Sequence, residues 1–182
     1  MKKLLIFLLL PLSIISSASY GEEINSLFGI NLNDDAEKYF SSNYIDSNKY
    51  RYTETISGYF NLKIDEAIKQ SPYASKYLIS INNDNRVHRI YGSQDFINLE
   101  ICQAVQKDLS PKLEKKYQFD FYYEEIPYPT FKIYTNNHYF ISGTYFTIQC
   151  KEIYSDSSVI LQIALSSKDL MEAVIEFYDA GM

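Results

Sequence analysis

Two cysteines, two histidines and a few paired acids are the residues of this chain that could do chemistry. Cys102 and Cys150 are the only thiols. In an exported chain two cysteines read as one disulfide. That bridge would close a loop of about 49 residues and contribute on the order of 4 kcal/mol through unfolded-chain entropy. A redox-active pair is the competing reading, but such pairs favour C-x-x-C at a helix N-terminus, where the thiol pKa falls. Pairing between two copies is a third option. A cysteine-protease reading fails, because oxidation would consume the nucleophile.

His88 and His138 are far apart in sequence and show no H-x-x-x-H or H-E-x-x-H spacing, so neither is assigned as a metal ligand. No G-x-S-x-G elbow, S-x-x-K pair or phosphate-cradling glycine loop occurs, so no catalytic residue and no cofactor is assigned. Asp34-Asp35 suits a helix N-terminus, where acids complement the dipole. Glu124-Glu125 suits a solvated strand end; a glycosidase needs two carboxyls at a set spacing across a cleft. Asn82-Asn83-Asp84-Asn85 lacks the alternating acids, glycine and terminal glutamate of a calcium loop and reads as a turn.

The denser signal is aromatic. The chain has 18 tyrosines, 11 phenylalanines and no tryptophan. Many crowd between Phe119 and Phe146, where neighbours such as Tyr122 and Tyr123 must face opposite sides of a strand. Tyr122, Tyr128, Tyr134 and Tyr139 are therefore candidate partner-binding aromatics, beside Pro127 and Pro129. The competing explanation is that aromatics favour strands in any case and that an AT-rich coding sequence supplies them.

The elements that must position these groups follow from periodicity. Ile97, Ile101, Val105, Leu109 and Leu113 recur every four residues, predicting a long helix from about Gln94 to Lys116, capped by Ser93. Cys102 lies beside that stripe. Ser110-Pro111 offers an alternative start for a second helix. Phe146, Ile148 and Cys150 alternate with polar residues in a strand over residues 144–154, which puts Cys150 on the buried face. Val159, Leu161, Ile163 and Leu165 form the matching face of the next strand. Strands are also expected at 50–54, 59–64, 76–81, 86–91, 119–125, 130–135 and 139–141, with Asn136-Asn137 as a turn. Asp34 and Glu37 predict a short helix, residues 65–70 one or two helical turns, and Ser166 or Ser167 caps a last helix over 168–179. Residues 41–49 read as polar and turn-rich. This order predicts an α+β fold: an antiparallel sheet with a long helix and a C-terminal helix on one face. The halves 26–92 and 93–182 are candidates for a pseudo-repeat within one domain.

Ahead of this domain, residues 1–18 have the pattern of a cleaved signal peptide: Lys2 and Lys3, an apolar run from Leu4 to Ile15, then Ser16-Ser17-Ala18. The run is short of the roughly 20 residues a spanning helix needs and contains Pro11. Cleavage is expected after Ala18, or alternatively after Gly21. The short basic start looks bacterial and predicts the periplasm, or else the extracellular medium. Removing residues 1–18 takes away two lysines and no acid, leaving 15 basic against 23 acidic residues and a net charge of −8. That balance opposes nucleic-acid partners and docking on anionic lipid. The expected activity is non-catalytic, toward a protein or envelope component; a small hydrolase and an enzyme inhibitor are the alternatives.

Overall fold

The structure is a computed structural model that describes residues 23–52, 56–65 and 67–179. The expected signal peptide and Gly181 lie outside the described residues. The architecture is α+β. Eight antiparallel strands form one sheet in the order β3-β4-β5-β6-β10-β9-β8-β7. They are β3 (Lys49–Arg51), β4 (Tyr59–Ile64), β5 (Lys76–Asn82), β6 (Val87–Phe96), β7 (Tyr122–Pro127), β8 (Phe131–Tyr139), β9 (Tyr145–Ile153) and β10 (Val159–Ser166). A separate hairpin of β1 (Ser26–Leu27) and β2 (Ile30–Asn31) precedes them. The helices are α1 (Ser42–Asn48), α2 (Leu99–Tyr117) and α3 (Lys168–Asp179).

The alternation read in the sequence decides which face is core. Phe146, Ile148 and Cys150 of β9 and Leu161, Ile163 and Leu165 of β10 are all buried. Register places Ile90, Ile79 and Leu62 on the same face. Over this face lies α2, against β9, β10 and β6. The Cys102–Cys150 disulfide, with Cα atoms 6.0 Å apart, fastens helix to sheet. Beside it the buried Gln106 donates its Nε2 to the carbonyls of Ile148 (2.8 Å) and Tyr134 (3.0 Å).

Several expectations need correction. The long helix starts at Leu99, not Gln94, and its cap is Asn98, whose Oδ1 accepts from Ile101 N. Ser93 to Phe96 instead extend β6, because β10 offers them partners out to Val159. Ile97, placed in the apolar stripe, is 86% exposed. The buried line of α2 runs through Cys102, Gln106, Leu109 and Ser110, and the helix passes through Pro111 without restarting. Asn136-Asn137 is no turn: β8 is continuous from Phe131 to Tyr139. Residues 42–48, read as turn, form α1, with Ser41 capping Tyr44 N and Ile45 buried. The Asp34–Glu37 region makes a 3-10 turn over Ala36–Lys38, capped by Asp35 rather than Asp34. Residues 67–70 form no helix; Lys69 N there donates to Phe28 O.

The β1–β2 turn is formed by Phe28 and Gly29, both with positive φ (54° and 83°), as a two-residue hairpin requires. The Phe28 ring then lies directly over Gly92 of β6 and edge-on to Tyr77 at 5.0 Å.

Candidate functional site

The face of the sheet opposite α2 carries a polar and aromatic surface. Strand register collects it from side chains that alternate with the core: Asn61, Leu78, Tyr91, Gln162, Gln149 and Ile133 in neighbouring strands. These residues, together with Tyr52, Arg89, Tyr128, Phe131 and Lys151, line a trough of about 510 Å³. That volume lies within the range of small-ligand pockets, roughly 300–1,000 Å³.

Hydrogen bonds hold its floor in place. Gln149 Nε2 donates to Gln162 Oε1, and Gln162 Nε2 donates to Tyr91 Oη at 2.7 Å. Arg89 Nη1 donates to Tyr52 Oη at 2.9 Å, while its guanidinium lies 5.4 Å from the centre of the Tyr91 ring. Arg89 Nε is buried with no hydrogen-bond partner. Lys151 Nζ sits 3.9 Å above the Phe131 ring, which itself stacks on Tyr128 at 4.4 Å. Two cations line the trough, and among the described residues no carboxylate does.

Toward the β7 edge the same face continues as a buried polar knot. Asn137 Oδ1 accepts from Tyr145 Oη and lies within 2.9 Å of the hydroxyls of Thr135 and Thr147. Asn137 Nδ2 donates to Glu124 Oε2 at 3.0 Å. Burial raises the Tyr145 phenol well above its ordinary range. Tyr122, Tyr139 and Tyr145 form an aromatic ladder, with centroids 6.2 Å and 4.5 Å apart. Burial, together with a hydrogen bond to Tyr139, pushes Tyr122 up to about 12.

The structure thus separates the four candidate tyrosines. Tyr122 and Tyr139 stack together on the open face, and Tyr128 borders the trough. Tyr134 pairs with Cys150 and lies on the α2 face, with Lys132 Nζ 4.6 Å from its ring. Tyr52, Tyr91, Gln149 and Gln162 were not singled out in the sequence; only their alternation with core residues could have revealed a shared face.

The other chemical candidates are held elsewhere. His88 is the extra residue of a bulge, buried under the Tyr59 ring, with Nδ1 2.8 Å from Ser167 Oγ. Burial lowers its pKa, and Asp169 partly opposes that shift. The His138 Nδ1 donates to Asp120 O at 2.8 Å, and the ring packs on Phe119 at 4.3 Å. Glu124 and Glu125 point to opposite faces, and Glu125 pairs with Lys132 at 2.6 Å. Asp34 accepts from Lys38, Tyr39 and Asn31, which holds its carboxyl down to about 2. Among the described residues no group of three metal-ligating side chains converges.

A second concavity, of about 420 Å³, lies on the α2 face and is mainly apolar. Its walls include Leu27, Phe28, Leu109, Leu113, Phe146 and Ile163. Among the described residues, neither concavity is lined by a histidine or a carboxylate. Compared with known protein families, with curated proteins and with solved structures, the chain gives no match.

Proposed function

We propose that this chain is an exported binding domain of the bacterial cell envelope, acting without catalysis, and that the open face of its sheet receives the ligand. The observation that carries the reading is the trough between Tyr52 and Tyr128. It is concave and aromatic-rimmed, and its floor of cross-linked amide and phenol groups is already ordered. Pre-ordered donors and rigid aromatic rings bind at low entropic cost. The disulfide fits an oxidising compartment. Among the described residues no helix is long and apolar enough to cross a membrane. The pattern of residues 1–18 supports export to the periplasm, with release to the medium as the alternative.

The test is an NMR titration of the isotope-labelled protein with a panel of short peptides, oligosaccharides and cell-wall fragments. Amide shifts should concentrate on β6, β9 and β10 around Tyr91, Gln149 and Gln162, and should vanish in Tyr91→Ala. Shifts confined to other surfaces, or none across the panel, would overturn the reading.

A further inference from the structure

We infer that the ligand of the trough is an anion, carrying a carboxylate or phosphate group that Arg89 and Lys151 engage. This deepens the binding-domain proposal and rests on it. Three independent features point the same way.

The first is charge placement. The chain has a net charge of −6, and six of its lysines are engaged by acids. Lys38, Lys49, Lys76, Lys112, Lys132 and Lys168 each pair with a carboxylate. Arg89 and Lys151 have no carboxylate partner among the described residues, yet both line one trough, which holds no acid there. In an acidic protein such a local reversal of sign draws anions to that spot.

The second is an orphaned donor. Arg89 Nε is buried and unpartnered, although a buried N–H left unmade costs free energy. Arg89 Nη1 is occupied by Tyr52, and the guanidinium carbon lies 5.4 Å from the centre of the Tyr91 ring. A planar guanidinium with unused N–H groups matches the oxygens of a carboxylate or phosphate.

The third is the direction of the hydrogen-bond chain. Gln149 donates to Gln162, which donates to Tyr91 Oη. Each step spends an N–H on the next group's oxygen, and the Tyr91 hydroxyl proton meets no acceptor among the described residues. That phenol is left as a donor toward the trough, where an acceptor-rich ligand completes the chain.

The experiment is an NMR titration of the whole protein with glutarate, inorganic phosphate and, as a neutral isostere, glutaramide. Shifts at residues 89, 91, 149, 151 and 162 are expected with an anion and not with glutaramide. Arg89→Gln should weaken the anion at least about tenfold, and Arg89→Lys should retain part of the affinity. Glutarate binding alone would assign a carboxylate ligand, and phosphate binding alone a phosphoryl one. Should Arg89→Gln lose its dispersed spectrum, Lys151→Gln carries the same comparison. If glutaramide or neutral oligosaccharides bind the trough and the anions do not, the anion inference falls while the binding face stands. If nothing in either panel reaches the trough, both fall. Anion shifts that map elsewhere or survive Arg89→Gln unchanged would mean an adventitious ion only, and would overturn the inference.

Discussion

At Gly92 a single missing carbon decides whether the N-terminal hairpin can dock. A Cβ there would lie 2.5 Å from the Phe28 ring and 2.9 Å from Ala74 Cβ. Gly92→Ala is expected to destabilise the fold by about 1–3 kcal/mol through overpacking, measured as a lower urea midpoint. Phe28→Leu in the same chain should recover part of the loss, since it removes the ring in the way. His88 supplies a pH dependence. Its pKa is lower folded than unfolded, so only the unfolded state takes up its proton just below pH 6.5. Stability from this residue is therefore complete above that pH and is lost as pH falls toward the folded pKa. Urea midpoints between pH 5 and 7.5 should show the decline, and His88→Gln should flatten it. A wild-type midpoint that held steady through this window would count against the buried neutral imidazole.

Among the elements, the seam between α2 and the sheet is the most heavily fastened. The double substitution Cys102→Ala, Cys150→Ala should cost on the order of 4 kcal/mol, read by thermal or urea unfolding. Gln106→Leu should cost about 1–3 kcal/mol by leaving two buried carbonyl contacts unmade. Both the bridge and its strand were legible in the sequence, because alternation alone turns Cys150 inward. The start of α2 was not. Ser93 looks like a cap, but capping competes with a full set of ladder bonds to β10, and the ladder wins. Asn136-Asn137 misled for a similar reason. Asn136 Nδ2 donates to Ser110 Oγ and Asn137 is buried in the Thr135–Thr147 knot, so tertiary partners hold turn-prone residues in a strand. The trough was invisible, since its lining comes from segments scattered between Tyr52 and Gln162.

Across the whole molecule, the sheet reads as two four-stranded meanders that meet through their last strands, β6 and β10. The outer edges are a three-residue β3 on one side and β7, with Glu124, Glu125 and Pro127, on the other. Short length, charge and proline are the usual means of keeping edges from pairing with another chain. The expected leader belongs to this scale too. Intact-mass analysis of protein recovered from the periplasmic fraction should place the mature N-terminus at Ser19, or at Glu22 if cleavage follows Gly21. Recovery only from the cytoplasm, with the start of the chain uncut, would overturn export.

The junction of the two meanders has a consequence for assembly. Between β6 and α2 the chain is Ile97-Asn98, with Ile97 almost fully exposed, and both cysteines lie on the C-terminal side. No covalent link other than this peptide segment therefore joins the two halves of the described fold. Their union rests on eight paired residues of β10 against Arg89–Phe96, on the packing of β1 against β10, and on that of α2 and α3 against β6. A protease site inserted at Ile97 should yield two pieces that travel as one species through gel filtration and part only in denaturant. The protein would then behave as a split pair, with β6 and β10 acting as the complementing surfaces.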